Sequence, residues 1–157
     1  MKKNLVVIHL ESVSNCLLNT YQDELPSLRE IMAKSTRFKN YFTSATSSVM
    51  AVCDFFHGNS FEMDHFTSFD DLDNKIAGKQ KNLFVILREA GYQVRAIGYP
   101  PPWRDDLKNF HIWTHSLEPF KWCQNEEDFF KTISSDLRKD GDHPFALYIY
   151  DIRSHFC

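Results

Sequence analysis

Short apolar runs recur along the chain and predict buried strands. Residues 4–10 read Asn-Leu-Val-Val-Ile-His-Leu, and residues 144–152 contain Phe-Ala-Leu-Tyr-Ile-Tyr. Nearly continuous apolar runs of this length are typical of strands that are buried on both faces of a parallel sheet. A third strand is predicted at Tyr92–Gly98, shortly before three consecutive prolines that exclude a regular helix or a central strand.

Helical patterns lie between these strands. A helix that opens at Pro26 has apolar residues at helical spacing, namely Leu25, Leu28, Ile31 and Met32. A second helix is predicted after Asn82, which can cap it, and before Gly91, which can end it. Residues 125–139 predict a third helix, because acidic residues at their start and basic residues at their end match the helix dipole. The predicted apolar face of this third helix is Phe130, Ile133 and Leu137.

The alternation of strands and helices predicts an α/β fold in which helices sandwich a mainly parallel sheet. The length of 157 residues fits a single domain. The chain stops soon after its last core strand, and a sheet that ended there would have an unfinished edge. We therefore expect residues 1–157 to be the N-terminal portion of one domain that is incomplete at its C-terminus.

Composition and charge narrow the classes of function. Hydrophobic residues make up 43% of the chain and charged residues 25%, which is typical of a globular protein. The formal net charge of -3 and the lack of a basic stripe argue against binding to nucleic acid. The four cysteines are scattered, without a C-x-x-C pair, and so do not predict a disulfide framework.

Hydropathy also bears on cellular location. No apolar run approaches the roughly 18–20 residues that span a bilayer, and the N-terminus lacks the features of a signal peptide. As it stands, the chain is predicted to be soluble and cytoplasmic. As a piece of a longer protein it would instead be membrane-anchored or extracytoplasmic, and only then would it contact a membrane.

Two features of the sequence indicate chemistry. Glu11 follows the first strand, and ligands of open α/β sheets bind outside the carboxyl ends of the strands. Its carboxylate is either a ligand of a divalent cation or a solvated strand-end glutamate. A Ser/Thr cluster then precedes an apolar helix that ends at Gly58, which places Thr46, Ser47 or Ser48 at the positive end of the helix dipole. Such a hydroxyl is either a nucleophile, especially beside a metal, or a simple helix cap.

The order of three segments resembles the sulfatase-like superfamily, which includes the alkaline phosphatases. The segments are Asn-Leu-Val-Val-Ile-His-Leu-Glu-Ser, Leu-Pro-Ser-Leu-Arg-Glu-Ile and Phe-Lys-Asn-Tyr-Phe-Thr-Ser-Ala-Thr-Ser-Ser. Members begin with an apolar strand that ends in an acidic metal ligand, followed by a Pro-Asn-Leu-type helix, a Phe-x-Asn-x-type strand and the nucleophile helix. The resemblance therefore implies an alkaline-phosphatase-like fold, with a strand around Phe38, Tyr41 and Phe42.

One branch of that superfamily is the most similar. The Leu-Glu-Ser ending looks like the branch of lipoteichoic acid synthases and phosphoethanolamine transferases, in which Glu replaces the paired Asp of true sulfatases. By this resemblance Glu11 is a metal-binding carboxylate. The nucleophile, which also binds the metal, lies ten residues before Gly58 and is therefore Ser48, with Ser47 and Thr46 as alternatives. The implied metal is divalent, Zn or Mn rather than Mg.

The resemblance also assigns residues to the substrate. His155 matches a family histidine that contacts the phosphate or sulfate group, and Arg104 resembles an arginine that helps to bind the same small anionic ester. The resemblance implies that the remaining metal ligands, an Asp-His pair and often another His, come from a later segment that lies beyond Cys157. We therefore expect this chain alone to be inactive.

Departures from the family pattern favour one class of ester. True sulfatases carry Cys or Ser in a Cys/Ser-x-Pro-x-Arg context, which permits oxidation to formylglycine, whereas Val-Met-Ala-Val follows Ser48. The implied function is that of a metal-dependent hydrolase or transferase that attacks a phosphate (or sulfate) ester through a serine hydroxyl. The alternative is a catalytically incomplete sulfatase-like fragment that acts as a non-enzymatic binding module.

Overall fold

Four parallel strands form one sheet. The computed structural model describes residues 2–21, 23–38, 40–43, 48–58, 71, 74, 82–99, 119–138 and 143–153. The strands in this part of the chain are β1 (Leu5–Leu10), β2 (Gln93–Tyr99), β3 (Phe120–Trp122) and β4 (Phe145–Asp151). Their order is β1-β4-β2-β3, and each neighbouring pair is parallel. The predicted α/β fold with a mainly parallel sheet is confirmed, while β3 has no counterpart among the predicted strands.

The last strand lies inside this sheet. Each residue of β1 pairs with one of β4, from Leu5↔Ala146 to Leu10↔Asp151, and β2 pairs with the other side of β4 along its whole length. The expected unfinished edge at the last strand is therefore wrong, because β1 and β3 are the edges of the described sheet. Sequence order does not reveal this arrangement, since a parallel strand is reached by a crossover that can pass over a position in the sheet.

Five helices have defined bounds within the described residues. They are α1 (Asn15–Thr20), α2 (Pro26–Ala33), α3 (Ser48–His57), α4 (Leu83–Glu89) and α5 (Glu126–Leu137). The second begins at Pro26 as predicted, although none of its residues is buried. None of the helices in these ranges has the length and apolar character that a membrane crossing requires.

The strand expected from the Phe-x-Asn-x segment is absent from the described residues of that segment. Phe38, Tyr41 and Phe42 are 79%, 75% and 83% exposed, respectively. Aromatic side chains favour strands mainly because they pack on a half-buried sheet surface. Since these three side chains lack such a surface, their spacing alone does not produce a strand.

Asparagine caps begin two of the helices. The side chain of Asn82 accepts hydrogen bonds from the backbone N–H groups of Phe84 and Val85, both at 3.0 Å. Gly91 follows the same helix with a φ of 85°, the left-handed conformation that ends many helices. Both predicted boundaries of α4 are confirmed, and Asn125 caps α5 in the same way.

Helices cover both faces of the sheet, and each face has its own core. On the face covered by α3 and α4, which we call the α3 face, the buried residues are Met50, Val52, Cys53, Phe56, Phe84, Val94, Ala96, Ala146, Tyr148, Tyr150 and Ile152. On the face covered by α5, which we call the α5 face, they are Ile97, Cys123, Phe129, Leu147 and Ile149. The predicted layer of helices on each side of the sheet is therefore present.

The prediction that the first strand is buried on both faces is wrong. Val6, Ile8 and Leu10, which alternate along β1, are 41%, 59% and 40% exposed. The strand lies at the edge of the described sheet, and α5 has its main contacts with β2. A continuous apolar run therefore marks a strand here without showing how far its second face is covered.

The predicted apolar face of α5 is wrong in two of its three residues. Phe129 is 2% exposed and belongs to the core, whereas Phe130 and Leu137 are 49% and 45% exposed. Ile133 packs against the core as predicted. Two adjacent phenylalanines fit the helical spacing almost equally well, so the sequence did not indicate which of them contacts the sheet.

Candidate functional site

Glu11 lies directly after β1, at the carboxyl edge of the sheet. Its backbone N–H donates to the carbonyl oxygen of Asp151 at 3.0 Å, so hydrogen bonding to β4 extends to this residue. Ser12 has a φ of 61°, which is uncommon for a residue other than glycine and turns the chain at this point. Glu11 is only 8% exposed. Its carboxylate is therefore held against the protein at the end of the strand.

Ser48 is the first residue of α3. Its Oγ donates a hydrogen bond to Oε1 of Glu11 at 2.6 Å. This distance lies within the usual range for a hydroxyl that donates to a carboxylate oxygen. The structure thus brings together the carboxylate and one of the hydroxyls that the sequence indicated, although they lie 37 residues apart.

Tyr150 is a further group at this position that the sequence pattern did not indicate. Its hydroxyl donates to Oε2 of Glu11, and the residue is 4% exposed. Burial raises the pKa of the Tyr150 phenol, and the hydrogen bond to Glu11 raises it further, so the hydroxyl remains a donor. The available signal was the alternation of β4. Because side chains two residues apart share a face, Tyr148 and Tyr150 both point to the α3 face.

His9 and Tyr148 form a neighbouring polar pair on the same face. Nδ1 of His9 and the hydroxyl of Tyr148 lie 3.0 Å apart. Burial lowers the pKa of His9, and the charge of Glu11 opposes this shift in part. Burial also raises the pKa of Tyr148 well above its ordinary value. Both shifts favour the neutral forms near neutral pH, so this pair is an uncharged neighbour of the Glu11 carboxylate.

The oxygens of Glu11 and Ser48 fit part of a divalent-metal site. Carboxylate oxygens bind Zn as well as the harder Mn and Mg ions. A hydroxyl beside the carboxylate can supply a second oxygen ligand. Within the ranges that the structure describes, no group of three or more His, Cys, Asp or Glu side chains could hold a metal. Glu11 and Ser48 would therefore supply only part of the ligand set of such a site.

The other predicted site residues lie outside the described residues. They are Thr46, Ser47, Arg104 and His155. Their roles as alternative nucleophiles or as ligands of the substrate's anionic group stay predictions.

A cavity of about 680 Å³ lies beside the edge strand, between β1 and α3. Its wall includes Leu10, which precedes Glu11, and Ala51, which lies one helical turn after Ser48. Most of the remaining wall is apolar and comes from residues 41–43 and from both elements. Neither Glu11 nor Ser48 lines it, so the hydrogen-bonded pair borders this cavity rather than facing into it.

The adjacent strand end carries a different set of groups. Asp151 accepts hydrogen bonds from Arg153, with Nε–Oδ1 at 3.0 Å and Nη2–Oδ2 at 2.6 Å. Arg153 also donates to Glu126, the first residue of α5. We call Asp151, Arg153 and Glu126 the Arg153 cluster. The hydrogen bonds that Arg153 donates to Asp151 contribute most to the raised pKa of Arg153. Its guanidinium lies 5.3–5.8 Å from the ring centroids of Phe130, Tyr99 and Phe129.

Comparison with known proteins gives one family. A family model described as Sulfatase matches residues 3–157. No curated protein and no solved structure gives a significant match. The matched range includes β1, Glu11, Ser48 and β4, and it confirms the predicted resemblance to the sulfatase-like superfamily.

Proposed function

This chain belongs to the sulfatase family and is a sulfatase-like hydrolase or transferase, and we propose that it acts on a phosphate ester through Ser48. The observation that carries the proposal is the 2.6 Å hydrogen bond from Ser48 Oγ to Glu11 Oε1. It joins a hydroxyl at the start of a helix to a carboxylate at the carboxyl edge of a parallel sheet, where open α/β sheets bind their ligands.

Ser48 is the nucleophile in the proposed reaction. Its hydroxyl proton lies along the hydrogen bond to Glu11, so Oε1 can accept that proton as Oγ attacks phosphorus. The Oγ–phosphorus bond forms, the bond to the leaving alcohol breaks, and a phosphoseryl ester results. Water or an acceptor alcohol then displaces the serine, which gives hydrolysis or group transfer.

Other groups of the chain would hold the charges of this reaction. Glu11 and Ser48 would ligate a divalent metal, Zn or Mn rather than Mg, whose bound charge lowers the pKa of a serine hydroxyl. The backbone N–H groups in the first turn of α3 would favour an anionic ester beside Ser48. Arg104 and His155 are proposed to bind the same anionic group, because a guanidinium can pair with phosphate in a bidentate manner.

Phosphate is proposed over sulfate because of the residues that follow Ser48. Formylglycine formation in true sulfatases uses a Pro and an Arg two and four residues after the reactive position. Met50 and Val52 occupy these positions here and are 4% and 1% exposed in the core. A direct hydroxyl nucleophile, as in the similar branch of lipoteichoic acid synthases and phosphoethanolamine transferases, fits this helix better.

The proposal is tested by covalent labelling of the full chain with a fluorophosphonate probe, which reports a reactive serine without requiring turnover. We expect peptide mass mapping to place the label on Ser48, labelling to be faster with Mn²⁺ or Zn²⁺ than with a chelator, and the Ser48 label to be absent from Ser48→Ala. Ser35→Ala is the matched control, because Ser35 is an exposed serine beside another helix, and it should label like the wild type.

Each other outcome has a definite meaning. A label on Ser47 or Thr46 would correct the choice of nucleophile. A chain that is folded but carries no label on any of these three residues would contradict the enzymatic proposal and favour the non-enzymatic binding module.

A further inference from the structure

The two oxygens of the Glu11 carboxylate have different partners. Oε1 accepts the hydrogen bond from Ser48, while Oε2 accepts one from the hydroxyl of Tyr150. The proposed reaction uses the first contact and assigns no task to the second. A glutamate side chain has several rotatable bonds, so a carboxylate anchored at one oxygen has fewer orientations in which the other can meet Ser48.

The phenol of Tyr150 is a rigid anchor. The residue is 4% exposed, and its ring stacks on Tyr148 with an interplanar angle of 23°. The ring centroids of His9 and Trp122 lie 5.0 Å and 6.2 Å from the ring centroid of Tyr150. The backbone of Tyr150 belongs to the central strand and pairs with strands on both sides. The hydroxyl therefore has a position that is fixed by the core and not by the flexible end of a surface side chain.

We propose that Tyr150 is a positioning residue of the active site, whose buried hydroxyl holds Glu11 Oε2 and thereby directs Oε1 to the Ser48 hydroxyl. This inference rests on the proposed function, because the orientation of Glu11 affects the reaction only if Ser48 reacts. It adds to the sulfatase-like site a residue that acts through Glu11. A small misplacement of a catalytic group costs rate even where binding is unchanged.

The chain supplies a matched control for this inference in Tyr148. The two tyrosines lie on the same strand and the same face, and both are buried. The hydroxyl of Tyr148 pairs with Nδ1 of His9 rather than with Glu11. Tyr150→Phe and Tyr148→Phe each remove one buried hydroxyl and keep the ring, so they disturb the packing of the core to a similar extent.

The experiment measures the labelling of Ser48 by the fluorophosphonate probe in the full chain, as a maximal rate kinact and a half-saturating concentration KI. In this step the Ser48 Oγ–phosphorus bond forms, the phosphorus–fluorine bond breaks, fluoride leaves, and the hydroxyl proton passes to Glu11. We expect Tyr150→Phe to lower kinact about tenfold with KI within about twofold of the wild type. Tyr148→Phe should leave both constants within about twofold, and thermal melts of the two variants should be lowered alike.

Three results would overturn the inference. Tyr150→Phe could label at the wild-type rate, Tyr148→Phe could lose as much kinact as Tyr150→Phe, or the loss in Tyr150→Phe could lie in KI alone. If the wild type labels at Ser48 and Tyr150→Phe labels with the same kinact, then the positioning role fails while the proposed function stands. If the wild type does not label at Ser48, the proposed function fails, and the positioning role fails with it.

Discussion

Glu11 and Asp151 end two neighbouring strands and are joined by a backbone hydrogen bond, yet their side chains have unlike surroundings. Glu11 faces α3 and accepts hydrogen bonds from the hydroxyls of Ser48 and Tyr150. Asp151 pairs with the guanidinium of Arg153, which also contacts the first turn of α5. Both carboxylates therefore lie at the carboxyl end of a strand, but the hydroxyl partners of Glu11 are neutral and the guanidinium partner of Asp151 is positively charged.

The difference explains which of the two strand ends suits chemistry. A guanidinium neutralises the carboxylate that it pairs with and holds it in place, so Asp151 serves to fasten the strand end to α5. Hydroxyl donors orient a carboxylate without adding a positive charge. In the proposed function, Glu11 takes a proton from Ser48 or contributes charge to a bound cation. We expect substitutions at Glu11 to lower the reactivity of Ser48, and substitutions that break the contact between Asp151 and Arg153 to lower the stability of the fold.

Glu11→Gln should have the largest effect on reactivity. It keeps the shape of the side chain but removes the charge and one acceptor oxygen, so kinact for labelling of Ser48 should fall about a hundredfold or more. Binding of Mn²⁺ or Zn²⁺, measured by titration calorimetry, should weaken as well. Asp151→Asn is the matched control and should change kinact less than about threefold. An equal loss in both variants would contradict the comparison between the two strand ends.

Arg153→Met should have the largest effect on stability among these changes. It keeps an apolar side chain against the aromatic rings but leaves Asp151, which is 13% exposed, without its guanidinium partner. Hydrogen bonds to charged groups contribute about 1.5–3 kcal/mol, so the free energy of unfolding in urea should fall by about that amount. Ser48 should label as in the wild type. If kinact fell about tenfold in a folded Arg153→Met variant, the Arg153 cluster would have to influence Glu11 and Ser48.

The smallest expected effect is at the start of α5. Lys121 Nζ donates a hydrogen bond to Asp128 Oδ1 at 2.7 Å. This hydrogen bond lowers the pKa of Asp128 and raises the pKa of Lys121. Because the folded pKa of Asp128 lies below the ordinary value of 3.8, its contribution is fully present above that value and is lost as the pH falls through the folded pKa. Asp128→Asn should therefore lower the urea midpoint slightly at neutral pH and not in strong acid. If the difference in urea midpoint between the wild type and Asp128→Asn grew on acidification, the stabilising role of the Asp128 carboxylate would be contradicted.

The sequence predicts residues whose position follows from one element. Glu11 was found because it ends a strand, and Ser48 because it begins a helix, and both rules need only local pattern. Asn82 and Gly91 mark helix ends for the same kind of reason. In each case the neighbouring residues in the chain determine the local structure.

The sequence does not predict features that depend on which elements are neighbours. The apolar pattern predicts only that Tyr150 lies in a buried strand, whereas its contact with Glu11 depends on that strand pairing with the first. The choice between Phe129 and Phe130 depends on how α5 lies on the sheet. The exposure of Ile8 depends on β1 being an edge strand in the described sheet. The sequence order of parallel strands does not determine which strands are neighbours in the sheet, because a crossover can pass over a position.

The central position of β4 also affects how the protein is made. Its contacts with the first strand join residues that lie 141 positions apart, as in the hydrogen bond from Phe145 to Asn4. Contacts between such distant residues slow folding. On the ribosome, Glu11 and Ser48 emerge long before the strand that carries Tyr150. The nascent chain therefore exposes an apolar strand until β4 has been synthesised. A chain released before residue 145 would contain Glu11 and Ser48 but would lack β4, the strand whose Tyr150 hydroxyl holds Glu11.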